Sequence, residues 1–438
     1  MRQAVVSAWK IAELRSKITF TLGMLLIFRL IAHIPVPHVD LAAIRQATEG
    51  SQILGLLNLF SGGALSQFSV AAMGVYPYIT ASIIMQLLTP LIPALQELSK
   101  EGEQGRNRIN RYTYWLTVPL AYLQGYGQTL AISRQVPLFG EGFNFSITQN
   151  FFPTLTILTM MVAGTMLLIW MGELIDEKGI GNGLSIIIFG GIVSRLPAVV
   201  YQGFQETAGA EQGIIRAIML IVIALATVVG IVLITEGQRR IPVQYAKRVR
   251  GNKVYGGQSS YIPLKVNMAG MIPLIFAQSI LILPSTLASY FYNPDPSATG
   301  IGNRIAGFFY NSFGAESLLY TILLFLMVVG FTFFYTLVLF QQQNLSESLQ
   351  RNGGFIPGIR PGRNTDVYLQ RVLTRITLVG ALFLGVVAAM PFFAQQITGL
   401  QLGLSSTALL IVVGVAVDTM RQLEAQLLMR NYEGFISR

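Results

Sequence analysis

The sequence predicts an all-α, polytopic membrane protein, and three observations predict it. Only 11% of its 438 residues are charged, against about 25% in an ordinary soluble domain. Hydrophobic residues reach 53%, and the mean hydropathy is +0.57. The apolar residues also gather in runs of roughly 20, the length a helix rising about 1.5 Å per residue needs to cross a hydrocarbon core of about 30 Å. A soluble chain of this size could not cover its surface with so few charges. Runs this long, without period-2 alternation, exclude a transmembrane β-barrel.

Ten candidate spans follow one another, at roughly 18–36, 70–94, 114–132, 152–171, 184–201, 214–235, 268–289, 317–340, 374–393 and 403–422. The residues before the first span are polar and basic, and the run that follows is too long for a signal peptide, so it reads as a span. The first span carries Arg29 and His33, the second Pro77 and Pro90, and the fifth Arg195 and Pro197. The 30 basic residues test this count. The two termini and every second connection collect 24 of them; Arg45, Arg134, Arg195, Arg216 and Arg304 make only five on the other side. That asymmetry places both termini in the cytoplasm.

Ten spans divide into halves of five, 1–201 and 202–438. A half with an odd number of spans exits on the opposite face, so duplicated halves would be inverted. No sequence identity joins them, but the second span of each half is broken by proline: Pro77 and Pro90, then Pro273 and Pro284. Broken helices in matching positions point to a functional interface between halves.

The polar residues exclude most chemistry. Cysteine is absent and histidine occurs only twice, His33 and His38, so neither a thiolate site nor a histidine metal cluster is available. The chain has no P-loop, H-E-x-x-H or G-x-S-x-G. Gly179-Ile180-Gly181-Asn182-Gly183 reads as a tight turn between the fourth and fifth spans. Arg29, Glu236 and Asp418 lie near span ends, where snorkelling or a local ion pair accounts for them; Gln86, Asn267 and Gln278 read as interhelical hydrogen-bonding groups. No metal, cofactor or catalytic residue is expected. A solute transporter and an intramembrane hydrolase using His33 remain the rivals to a channel.

Three connections stand out. Residues 56–68 are moderately apolar, too short to cross and broken by a glycine pair, so they lie at the membrane interface or fold back into the protein. The cytoplasmic loop at about 236–267 alternates Val243, Tyr245 and Val254 with basic residues, as in an exposed hairpin. The loop at about 341–373 holds Arg360 between two Pro-Gly pairs, whose turns stiffen the backbone. Rigid turns are superfluous for orientation, so the basic loops favour docking of an acidic or RNA-bearing partner.

Nine stretches, in order, carry a resemblance to the SecY/Sec61-alpha family: 28–40 (FRLIAHIPVPHVD), 59–65 (LFSGGAL), 77–88 (PYITASIIMQLL), 100–105 (KEGEQG), 179–188 (GIGNGLSIII), 238–247 (QRRIPVQYAK), 263–273 (PLKVNMAGMIP), 354–362 (GFIPGIRPG) and 409–418 (LLIVVGVAVD). The external connections at about 133–151 and 291–316 carry no recognised stretch and are expected to vary freely. The resemblance implies two inverted five-helix halves around a pore of a Sec translocon, which passes unfolded secretory chains outward and releases apolar segments sideways. It implies no enzyme activity, with SecA or the translating ribosome driving transport, SecE and SecG as membrane subunits, and signal sequences, nascent chains and membrane lipids as further partners. The setting would be the bacterial cytoplasmic membrane. By motif match the pore ring is Val75, Ile79, Ile83, Ile188, Ile275 and Ile411. The plug, a short helix at about 57–69, contains Phe60, Ser61, Gly62, Gly63, Ala64 and Leu65, which favours the fold-back reading. Thr80, Gln86 and Asn267 match the lateral gate, and Thr80 stands where many relatives have serine. Arg239, Arg240, Lys247, Arg248, Arg250 and Arg360 match the surface that docks SecA and ribosomal RNA.

Overall fold

The computed structural model describes residues 9–37, 39–41, 44, 58, 61–133, 138, 145, 149–208, 213–245, 248–250, 253–255, 259–291, 300–313, 317–343, 345–398 and 406–436. The chain is mostly helical. Helix α1 is Ala12–Ile31, followed by α2 (Tyr76–Leu88), α3 (Pro93–Lys100), α4 (Glu103–Ser133), α5 (Phe151–Lys178), α6 (Gly183–Ala208) and α7 (Gly213–Glu236). Four short strands come next: β1 (Gln238–Tyr245), β2 (Arg248–Arg250), β3 (Lys253–Tyr255) and β4 (Ser259–Lys265). Then come α8 (Ile272–Phe291), α9 (Ile301–Ser312), α10 (Leu318–Gln343), α11 (Leu345–Arg351), β5 (Gly354–Phe355), α12 (Arg363–Thr398) and α13 (Ser406–Ile436).

A helix overlaps each apolar interval of the sequence, but lengths and breaks vary. Among the described residues, α5, the α10–α11 run Leu318–Arg351, and Arg363–Ala394 of α12 are long and apolar enough to cross a membrane alone. The second interval is a broken pair: α2 and α3 meet at 98°. Proline explains both ends of α2. Pro77 sits in its first turn, where the missing N–H costs nothing, while Pro93 opens α3 in the same way. Helix α8 repeats the start, with Pro273 as its second residue, and carries Pro284 inside.

Two apolar cores share α8. The larger joins α1, the 61–73 segment, α2, α4, α5 and α6 with Ile275 of α8 and Ile411 of α13. The second packs α7, α10 and α12 against Leu274, Ala277 and Leu281 of α8. A third core, built on Ile241, Val243, Leu264, Phe340, Ile356 and Leu369, lies under the strands. Only one face of the hairpin is therefore exposed. Ile241 and Val243 are buried while Arg239, Arg240 and Pro242 alternate outward or flank them, as a one-sided strand requires.

The connecting turn 179–183 is tied from three helices. The Ile180 N–H donates to Thr21 Oγ1 of α1 (3.1 Å), Gly181 to Gln422 Oε1 of α13 (2.9 Å) and Gly183 to Asp176 Oδ1 of α5 (2.8 Å). Gly181 adopts φ +87°, and a Cβ on Gly183 would stand 1.9 Å from the Gly172 carbonyl, so glycine is required at both.

Candidate functional site

Val75, Ile79 and Ile83 recur at four-residue spacing and so share one face of α2 and its N-terminal boundary. Ile188 comes from α6, Ile275 from α8 and Ile411 from α13. Five of these six side chains meet in the larger core: Val75, Ile188, Ile275 and Ile411 are buried there and Ile79 packs partly buried against them. Ile83 is buried as well, at 3% exposure, but lies outside that cluster. A cavity of about 470 Å³ is lined by Ile79, Ile188 and Ile275 and reaches Lys265 and Arg421. Glu236 is held by an ion pair with Arg421 (2.9 Å), a local pairing that needs no ion pathway to explain it. Asp418 is exposed and lines the same cavity.

In the 61–68 segment Ser61, Ala64, Leu65 and Phe68 are buried, the last three in the larger core. Among the described residues Asn58 is helical, residues 61–63 are turns, and Leu65–Gln67 is a single 3-10 turn. The glycine pair is held at φ +67° and +87°, and side-chain bonds brace the turns. Ser61 Oγ accepts from the Leu65 N–H (3.1 Å), and Asn58 Oδ1 accepts from the Ser66 N–H (3.0 Å). Phe60 lies outside the described residues. Arg29 of α1 donates to the Gly62 carbonyl at 3.0 Å, and the backbones of Gly62 and Gly191 of α6 cross so closely that neither position has room for a Cβ.

The expected gate residues lie along α2 and the entry to α8. Thr80 is buried and donates to the Tyr76 carbonyl (3.1 Å), while Gln124 of α4 donates to its hydroxyl (3.3 Å). Gln86 donates to Ser82 Oγ within α2 (3.2 Å). Asn267 Nδ2 donates to the Gly270 carbonyl (3.1 Å), leaving its Oδ1 without a partner. Gln124 Oε1, Gln278 Oε1 and Ser279 Oγ are likewise buried without partners. A hydrogen bond joins the two helices directly: the Tyr76 hydroxyl of α2 donates to the Ser279 carbonyl of α8 at 3.2 Å. Tyr76 and Gln124 escaped sequence reasoning. Both sit in apolar intervals where a lone polar group signals only some interhelical bond.

The basic loops come together in one sheet. Strand β1 pairs antiparallel with β4 on one side, and on the other with β5, matching Gln244 to Phe355 and Tyr245 to Gly354. Arg239 and Arg240 are exposed on it, and the Arg240 guanidinium lies over the Tyr261 ring at 4.9 Å. Arg360 is exposed five residues beyond β5, and its carbonyl accepts from Thr365 Oγ1 (3.1 Å); Gly358 and Gly362 flank it at φ +82° and +97°. Arg248 and Arg250 lie on β2, which pairs with β3. Lys247 lies outside the described residues.

Known proteins share this fold. The chain is 43% identical over 446 residues to the protein translocase subunit SecY of Thermotoga maritima, covering 100% of this chain and 98% of that one. A solved structure concerned with the SecY plug domain, described as stabilizing the closed state and maintaining a membrane seal, superposes with a TM-score of 0.64 at 18% identity over 94% of this chain and 92% of the other. Sec61 in the canine ribosome–channel complex superposes with a TM-score of 0.57 at 15% identity, over 94% and 92% of the two chains. At these identities the two structures speak for the fold alone. The family profile described as SecY matches residues 69–420, and with a relative 43% identical over its whole length, the chain belongs to the SecY family.

Proposed function

We propose that this chain is the protein-conducting channel of a Sec translocon. It passes unfolded secretory polypeptides across the bacterial cytoplasmic membrane and releases apolar segments laterally into lipid. The observation that carries the reading is the aliphatic neck, with Val75, Ile79, Ile188, Ile275 and Ile411 in one cluster. A narrow apolar neck dewets and so blocks ions. It also offers no fixed hydrogen-bond partner, so a chain of any sequence slides past it.

The finer parts of the reading follow from that neck. Ten spans in two inverted halves, 1–201 and 202–438, with both termini cytoplasmic, account for the basic asymmetry. The 61–68 segment, seated on Arg29 and Gly191, serves as the plug. The α2–α8 contact, with its unpartnered polar atoms, serves as the lateral gate, because a dry interface containing such atoms is cheap to replace by an apolar signal segment. The basic sheet and Arg360 present the docking surface for SecA or the ribosome, which supply the driving energy. SecE and SecG complete the membrane assembly. The chain itself carries no catalytic role.

The test uses the natural absence of cysteine. In the Ile275→Cys chain, a secretory precursor with one cysteine, stalled during SecA-driven transport, should form a disulfide with position 275. Transport that proceeds without that adduct overturns the neck assignment. Saturable uptake of a small solute in the absence of a motor would favour a transporter instead.

A further inference from the structure

Helix α9 lies in the connection between α8 and α10, and its faces are sorted in reverse. At 3.6 residues per turn, Asn303, Ala306, Gly307 and Tyr310 share one face, while Ile305, Phe308 and Phe309 share the opposite one. The first face is the inward one: Ala306 and Gly307 are buried, and α9 packs against α8. Ile305 and Phe308 point outward at 55% and 63% exposure, and Phe309, at 39%, stacks on Phe313. A helix on a soluble surface buries its apolar stripe and exposes its polar one. Here the small residues meet the protein and the large apolar ones are left bare.

The position of α9 says what covers them. The far end of α10 packs under the basic sheet through Phe340, so the start of α10, and α9 before it, lies at the opposite end of the bundle. Phe291 at the end of α8 and Leu318, Leu319, Ile322 and Leu326 at the start of α10 are exposed as well. Only 22% of the apolar stretch of the α10 run is buried by the rest of the chain, as suits a helix facing lipid. With 12 residues, α9 is about 18 Å long and too short to cross. An amphipathic helix of that length, placed between the outer ends of two apolar helices and left with its large apolar side chains bare, belongs in the plane of the bilayer surface. Arg304 is exposed at the edge of the apolar face, where an arginine reaches headgroup phosphates.

We propose that α9 is an interfacial helix. It seats Ile305, Phe308 and Phe309 in the external face of the bilayer and tethers the outer end of the gate helix α8 to lipid. The inference rests on the reading of α8 and α10 as membrane-spanning helices. It is tested by spin-labelling single cysteines, Arg304→Cys, Ile305→Cys, Phe308→Cys and Phe309→Cys, in the full chain reconstituted into phosphatidylcholine–phosphatidylglycerol vesicles. Labels at 305, 308 and 309 should collide preferentially with oxygen over a water-soluble nickel chelate, with a ratio severalfold above that at 304. Preference for nickel at 305 and 308 would mean a water-exposed face, and low access to both reagents a protein partner or second copy; either result overturns the proposal. Leu319→Cys and Ile322→Cys on α10 separate the two failures. If they prefer oxygen and α9 does not, the interfacial helix is wrong and the spanning reading stands; if neither does, both fall.

Discussion

Gly62 and Gly191 meet with no side chain between them, and that contact sets how the 61–68 segment is seated. A Cβ built on Gly191 would stand 2.2 Å from the Gly62 Cα, a distance no packed atom tolerates. Gly191→Ala should therefore push the segment off its seat. Overpacking of this kind costs about 1–3 kcal/mol, which multiplies the displaced population by roughly five- to more than a hundredfold. The measurement is ion leak through the purified channel in a planar bilayer, which should rise. Gly23→Ala is the control, because a Cβ there meets nothing within 4 Å. An unchanged leak in Gly191→Ala would show that this contact does not hold the seal. The glycine pair at 62–63 was legible as a break in the sequence. Its partner was not, since Gly190-Gly191 in an apolar run carries no sign of which backbone crosses it.

At the scale of elements, the sheet that joins the two basic loops does more than either loop alone. Strand β5 packs closely at Gly354: a Cβ there would stand 3.0 Å from Tyr245 Cε1 and 3.3 Å from Leu349 Cδ2, and a larger side chain would crowd both. Gly354→Val should peel β5 from β1 and loosen the turn that presents Arg360. Hydrogen exchange at the Tyr245 and Phe355 amides should quicken, and SecA-driven export should fall severalfold, a weaker form of the loss expected of Arg360→Glu. Arg360→Glu should abolish that export while the channel still inserts into the membrane. If Gly354→Val changes neither exchange nor export, the sheet is not what positions Arg360. The charges and Pro-Gly turns of these loops could be read from sequence because they are local. The pairing could not, because a strand of two residues leaves no period to detect and its partner lies far away in the chain. The same limit explains the bend between α2 and α3: Pro90 and Pro93 announce a break, but packing fixes its 98° angle.

For the whole molecule, the sequence carries the class in its charge distribution, along with the proposed orientation, and the proposed neck only through family motifs. What it leaves out is the balance at the interface of α2, α4 and α8, where buried polar atoms face one another. Two substitutions should move that balance in opposite directions. Tyr76→Phe removes the hydroxyl that donates from α2 to the Ser279 carbonyl of α8, a contact worth about 0.5–1.5 kcal/mol, and so favours separation of the helices. Gln124→Leu removes a buried carbonyl oxygen that has no partner, while Thr80 keeps its bond to the Tyr76 carbonyl, and so favours the closed interface. Export of precursors with signal segments of graded hydrophobicity reads both effects. Tyr76→Phe should admit weaker signals than the parent channel, and Gln124→Leu should demand stronger ones. Shifts in the same direction, or none, would mean that this interface is not the one a signal segment opens.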